Sequence, residues 1–423
     1  MNKMLRSPLF LMALTIFIDF AGFGLILPLL PFWAEHLGAN PTEIGLILTI
    51  YALAQFIFTP ILGALSDRYG RKPIIVGSLL IEAFSFALSG MAGSLVALLI
   101  ARFIGGLGAS NIGSAQAVVA DVTPPEGRAR GMGIIGAAIG LGFVVGPAIG
   151  GLLAPIGPAV PFWVAMAVAL VNALLVIIFL PETHKVRGTS TTGSSDKQGK
   201  GILPTGLGRL LRNSAITRLI VINLLFTMAF TAMEAVYPLF SQHTFGWTAK
   251  ENGYIFTYVG IIIVLMQGGL VGQLVKRFGE RSLLIAGLVM LAIGLALLPW
   301  STSLALMLVA LGILSVGDGA VTPTTSALLS LASPREAQGE TLGLAQGIAG
   351  LGRIIGPLFA GTIYTLVGPG APFVVGSALA VLAMLVALPS LSIPRQISQT
   401  QATSTEEGEA EETKTATIAK ERL

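Results

Sequence analysis

Along most of its length the chain alternates long apolar runs with short polar interruptions. Read in windows, the pattern predicts twelve helices near 9–33, 43–65, 74–92, 95–119, 131–154, 159–180, 214–241, 253–275, 282–299, 302–331, 340–367 and 371–390. A spanning helix needs roughly 20 apolar residues, so the pattern reads as an all-α membrane protein. One interruption is different in kind. Lys185 to Gly201, KVRGTSTTGSSDKQGKG, is rich in Ser, Thr and Gly and reads as a flexible linker. It divides the chain into an N-terminal six-helix bundle (1–184), a cytoplasmic linker (185–213) and a C-terminal six-helix bundle (214–391). The remaining tail, 392–423, carries Glu406, Glu407, Glu409, Glu411 and Glu412 and has too little apolar surface to fold, so it is expected to be disordered.

Composition sharpens this picture. The chain is 54% hydrophobic and only 11% charged, and its 52 glycines suit helices that pack backbone to backbone in lipid. Without cysteine there is neither a disulfide framework nor a thiolate metal site, and His36, His184 and His243 are scattered, so no metal or cofactor is expected. If twelve helices alternate across a membrane, Lys3, Arg6, Arg68, Arg71, Lys72, Arg128, Arg130, Lys185, Arg187, Lys276, Arg277, Arg281 and Arg335 fall on one side. The other side holds Lys250. Basic residues resist translocation, which predicts a cell-membrane protein with both termini cytoplasmic. A miscounted span would invert every later loop, so the charge pattern also checks the helix count. A cleaved signal peptide is the competing reading of the first apolar run, and the run's length, Asp19 within it and the lack of a small-residue cleavage site weigh against it. Glycine strings that mimic a dinucleotide fingerprint lack the preceding strand, and nothing points to nucleic acid. The expected partners are a lipid bilayer and a small-molecule substrate, with the chain acting as a monomer.

The chain also repeats itself. Gly63 to Pro73, GALSDRYGRKP, returns about 209 residues later as GQLVKRFGERS, and GLGFVVGPAIGG (Gly140 to Gly151) lies over GLGRIIGPLFAG (Gly350 to Gly361). Two like six-helix bundles in the same orientation are a parallel duplication, which places a substrate site at the midplane between them. The first hairpin fills the positions Gly63, Leu65, Ser66, Asp67, Arg68, Gly70, Arg71 and Lys72 of a cytoplasmic loop motif and so resembles the major facilitator superfamily. That resemblance implies two pseudo-symmetric bundles of six helices. It also implies a cytoplasmic latch, built on Gly63, Asp67, Arg68, Gly70 and Arg71, that meets the other half and favours an outward-open state. In the second copy Lys276 stands where Asp67 would be, which makes the latch one-sided.

Three further segments narrow the resemblance. In the fourth helix Arg102, Gly106 and Gly108 match a family pattern whose glutamine is here Gly105. In the fifth, Gly142, Gly146, Pro147, Gly150 and Gly151 match the run found in drug:proton antiporters, which implies export by exchange; glycines four apart share one helix face and open a groove. In the first, DFAGFGLILPLLP resembles the same antiporters. Four acids lie within apolar windows: Asp19, Glu82, Glu234 and Asp318. At about 3 kcal/mol each, they would cost on the order of 10 kcal/mol if charged and unpaired. They must be protonated, paired or hydrated, as a proton carrier requires.

By the family resemblance helices 1, 7 and 10 line the central cavity, which selects Asp19, Glu234 and Asp318, together with Arg102, as the proton-coupling and substrate-cavity residues. Helix 3 is expected at the periphery, leaving Glu82 aside. The expectation is a secondary transporter that exports small amphipathic organic compounds in exchange for protons, and not an enzyme, since no nucleophile–base pair appears. Proton-coupled transport of a single metabolite or sugar is the alternative on the same fold, and a non-transporting membrane receptor a remote one.

Overall fold

The computed structural model describes residues 7–124, 127–183, 213–333 and 337–388, and every regular element among them is helical. The linker, save Asn213, and the tail lie outside the described residues. Among the described residues twelve apolar helices follow the predicted order. The N-terminal half holds α1 (Pro8–Ile26, continued after a short break by Leu30–His36), α2 (Pro41–Tyr69), α3 (Arg71–Gly90), α4 (Leu95–Val122), α5 (Arg128–Leu153) and α6 (Val160–Phe179). The C-terminal half holds α7 (Ser214–Phe245), α8 (Ala249–Phe278), α9 (Glu280–Leu297), α10 (Leu304–Ala332), α11 (Gln338–Val367) and α12 (Ala371–Ala387). Eleven are long and apolar enough to cross a membrane, and α12 is a shorter apolar helix.

The repeat is visible in how the helices start. Asn40 with Glu43 opens α2 and Thr248 with Glu251 opens α8, each as a reciprocal capping box that satisfies two backbone donors. Ser94 and Ser303 cap α4 and α10. The predicted cationic hairpin proves tighter than a loop: α2 runs to Tyr69 and α3 begins at Arg71, joined by Gly70 alone at φ +104°, and Gly279 does the same at φ +80° between α8 and α9.

Glycines decide which helices touch. A Cβ on Gly142, Gly146 or Gly150 would strike the backbone or side chains of α1, and one on Gly24 would meet Pro147, so α1 and α5 pack backbone to backbone. Gly151 instead faces the other half, where a Cβ would stand 2.8 Å from the Lys250 carbonyl oxygen of α8. The second half mirrors this: Gly352 and Gly356 face α7, while Gly361 faces Pro41 of α2. Each glycine–proline helix is therefore a wedge between its own half and the opposite one.

The two halves meet along these wedges from the far end to mid-helix, where Gly140 closes on Val264 and Gly350 on Phe56. Thr42 Oγ1 hydrogen-bonds Thr365 Oγ1 at 3.0 Å, Thr49 Oγ1 donates to the Ile354 carbonyl at 2.7 Å, and Gly260 closes on Phe143. Toward the end that carries the cationic joints, positions for a Cβ on Gly63, Gly133, Gly136, Gly339, Gly343 and Gly347 are empty to 4 Å. The cleft between the halves is closed at the far end and open at the basic end.

Candidate functional site

In the N-terminal half the apolar core falls into two layers. One contains Leu25, Ile26, Trp33, Phe86 and Phe162, and the other Leu11, Ile16, Ile75, Val118 and Val176. Between them lies a polar layer. Asp19 of α1 sits half-buried, facing α4 and α6 of its own half, with Oδ2 accepting from Asn111 Nδ2 of α4 at 3.0 Å and Oδ1 from Asn172 Nδ2 of α6 at 2.9 Å. Asn172 also donates to the Thr15 carbonyl at 3.2 Å, which ties the amide to the same helix as its acid.

Glu82 belongs to this layer, contrary to the expectation that α3 keeps it aside. It is 3% exposed and lies beside Asp19, the two lining one recess with Ile18, Gly22, Phe86, Ala165 and Ala169. The peripheral placement holds for one face of α3, where Leu80 and Phe84 are exposed. The opposite face carries Ser78, Glu82, Ser85 and Ser89, all buried. Gly108 makes the approach possible, because a Cβ there would lie 2.7 Å from the Glu82 backbone nitrogen.

Arg102, 3% exposed, closes the layer. Its guanidinium lies 5.9 Å from the Tyr51 ring centroid and 5.8 Å from that of Phe86, and Nη2 donates to Ser89 Oγ at 2.9 Å. Gly105, where the family pattern has glutamine, leaves the room: a Cβ there would stand 2.5 Å from Ser85 Oγ. Arg102 Nε and Glu82 Oε2 are buried without a hydrogen-bond partner among the described residues. Two carboxylates and one guanidinium thus lie in one dry layer with no ion pair closed among them, and the charges of Asp19 and Arg102 both act on Glu82. With one proton aboard the group is neutral; without it, a net negative charge is left in a medium that penalises it.

Arg102 also lines a second recess, toward the closed end of the cleft. Phe23, Ile26, Leu27, Leu30, Leu48 and Tyr51 form the rest of its wall. Phe23 stacks obliquely on Tyr51 at 5.4 Å and meets Phe143 edge-on at 5.9 Å, giving the cleft an aromatic lining. This is a small apolar surface with one cationic group at its margin.

The C-terminal half holds a looser counterpart. Glu234 of α7 is half-buried, Asp318 of α10 is 7% exposed and Arg353 of α11 is exposed. Glu234 senses the charges of both Asp318 and Arg353, which identifies the electrostatic partner of Arg353, although no ion pair closes among these three.

The latch residues engage their own half in this state. Arg71 pairs with Asp67 one turn away, reaches Asp121 Oδ2 at 3.3 Å and donates to Ser66 Oγ at 2.7 Å, while Asp67 is largely exposed. Arg68 lies over the Tyr69 ring. Glu182, just past α6, accepts the backbone N–H groups of Arg71 at 2.9 Å and Lys72 at 3.2 Å, a carboxylate at the N-terminus of α3. Asn111, Asn172, Tyr51, Asp121 and Glu182 were not singled out from sequence. The buried serines at positions 78, 85 and 89, spaced with Glu82 on one helical face, are the signal that could have revealed the stripe.

Both halves match a known family model, described as Major Facilitator Superfamily, over residues 12–276 and 268–420. The chain belongs to the major facilitator superfamily. Among its relatives, the class C tetracycline resistance protein of Escherichia coli is 32% identical over 92% of this chain and 97% of its own length. Multidrug resistance protein 2 of Bacillus subtilis is 32% identical over 83% and 87%. The crystal structure of the human organic anion transporter MFSD10 (TETRAN) superposes with a TM-score of 0.67 at 25% identity, covering 90% of this chain and 99% of that one. The nucleoside transporter NupG, at 12% identity and a TM-score of 0.75, shares the fold. As a member of this superfamily the chain is a multi-pass membrane transporter for small molecules, and its relatives here are transporters rather than enzymes.

Proposed function

We propose that this chain exports small amphipathic organic compounds from the cytoplasm across the cell membrane in exchange for protons, by alternating access between its two halves. The observation that carries the reading is the polar layer in which Asp19, held by Asn111 and Asn172, lies beside buried Glu82, on which Arg102 also acts. Such a site can hold one proton in the neutral state, and a cation entering the cleft competes with that proton for the same charge. Exchange requires that competition. The efflux relatives support the direction of transport, and the aromatic wall around Phe23, Tyr51 and Phe143 suits loosely specified organic substrates.

Basic residues favour the cytoplasm, so the open, basic end of the cleft is read as inward-facing, ready to load substrate. Asp67 and Arg71 are then free of the opposite half, and the latch across the halves belongs to the outward-open state. Substrate loading releases the proton inward; closure of the basic end and opening of the far end let a proton return from outside as substrate leaves. Glu234 and Asp318, with Arg353, provide a second acidic wall that follows the same charge logic.

Arg353, exposed in the cleft, and the organic anion transporter among the relatives favour a second reading in which substrates bearing an acidic group also bind. Purified protein in vesicles with an imposed pH gradient tests both. Accumulation of ethidium on the acidic side is the expected result, and accumulation away from the acid would assign proton symport instead. Competition by an aromatic carboxylate, lost in Arg353→Gln, is expected only if the second reading holds.

A further inference from the structure

The repeat slips by one residue inside α8. Asn40, Glu43, Gly45 and Thr49 match Thr248, Glu251, Gly253 and Thr257 at an offset of 208, whereas Gly63, Leu65, Arg68 and Gly70 match Gly272, Leu274, Arg277 and Gly279 at an offset of 209. Accordingly α2 has 29 residues and α8 has 30. The extra residue is absorbed in a π turn over Met266–Leu270, closed by the Val271 N–H donating to the Met266 carbonyl five residues back. A π turn of this kind is the usual way a helix accommodates one inserted residue, and such turns gather at functional sites. Without it, everything beyond the insertion would be rotated by about 100°.

The segment after the π turn is set apart in three further ways. Gly268, Gly269 and Gly272 meet no neighbouring atom within 4 Å of a Cβ position. The buried side chains there, Met266 and Val271 with Leu283 of α9 and Ala320 of α10, form a small cluster separate from the main core of the half. A tight seam lies at Gly319, where a Cβ would stand 2.6 Å from Met266 Cβ, and the residue before it is Asp318, buried and without a hydrogen-bond partner among the described residues.

We infer that the π turn at Met266–Leu270 is a hinge on which the basic end of α8 moves apart from the rest of its half, and that Gly319 couples this motion to Asp318. The inference rests on the exchange reading above. It assigns α8, rather than its repeat partner α2, as the flexible side of the inner gate, and makes Met266 and Gly319 positioning residues.

Because the chain has no cysteine, spin-label pairs can be placed freely in the full chain in lipid nanodiscs. Gln273→Cys with Leu385→Cys spans the basic end within the C-terminal half, and Tyr254→Cys with Val374→Cys spans its far end. Between acidic and alkaline pH the first distance is expected to shift and the second to stay fixed. Equal behaviour of the two pairs, whether both move or neither does, would overturn the hinge. Deleting Gly268, which restores the α2 period, is expected to remove the shift and the vesicle exchange while leaving the far-end distance intact; exchange at the wild-type rate would also overturn it. If the deletion variant does not fold, Gly319→Ala, expected to damp the same shift, takes its place, and an undamped shift counts against the coupling. A wild-type chain that shows the label shift but no exchange would sink the functional reading and leave the hinge standing.

Discussion

The two halves of the repeat keep their charges in opposite ways. In the N-terminal half the apolar core is cut by a polar layer, with Asp19 held by two amides and Arg102 sealed between rings. The C-terminal half has one large core with a small satellite cluster, and its charges are held more loosely: Arg353 is exposed, Glu234 half-buried, and Asp318 is buried with no amide to hold it among the described residues. The difference teaches that a charged cluster set inside a core is held by hydrogen bonds and rings, as Asp19 and Arg102 are, while an exposed charge such as Arg353 can rely on water. The first arrangement suits a fixed proton site; the second suits contact with variable substrates.

The comparison breaks if the two acid sets behave alike. Asp19→Asn is expected to reduce pH-driven exchange to background while expression persists, and Glu82→Gln, which removes a carboxylate from the same dry layer, should do nearly the same. Glu234→Gln and Asp318→Asn should instead weaken exchange by amounts that differ between substrates, on the order of tenfold, the value of one charge-assisted contact. Vesicle flux measured with several substrates decides this, and a substrate-independent loss in the C-terminal variants would remove the proposed division of labour.

The glycine wedges sharpen the same comparison at the next level of effect. Gly146→Leu drives a side chain against Ala21 and Leu25 of α1, within its own half, and is expected to lower stability by a few kcal/mol as an overpacked contact. Gly151→Leu pushes instead on Lys250 and Gly253 of the other half, at the closed end of the cleft. Its expected effect is a population shift toward the outward-open state with little loss of folding stability. Thermal unfolding separates the first, and accessibility of introduced cysteines at the two ends separates the second.

Much of this was legible in the residues. Helix number, the duplication and the glycine–proline helices follow from apolar runs and from motifs set by backbone approach, which is local. Glu82 was misplaced because a helix can be peripheral and still turn one polar face inward, and only the serine stripe records that. Asn111 and Asn172 gave no signal, since an amide within an apolar run looks the same whether it meets an acid or water. The one-residue slip in α8 is present in the sequence but becomes visible only when the caps at both ends of the helix are aligned. Which end of the cleft is open depends on contacts between the halves that balance closely, so no run or motif encodes it.

The smallest expected effect compares the two glycine joints. Gly70 and Gly279 both have positive φ with extended ψ, a region that an L side chain enters at a penalty of roughly 1–3 kcal/mol. A Cβ on Gly279 meets nothing within 4 Å, so Gly279→Ala should carry the backbone strain alone. A Cβ on Gly70 would stand 2.6 Å from Glu182 Oε2, the carboxylate that caps α3 through Arg71 and Lys72. Gly70→Ala should therefore lower thermal stability further than Gly279→Ala, by about 1 kcal/mol for a displaced cap. In a Glu182→Gln background the gap should narrow, because the amide is already a poorer cap; an unchanged gap would mean that Gly70 is required for the turn alone and not for the cap.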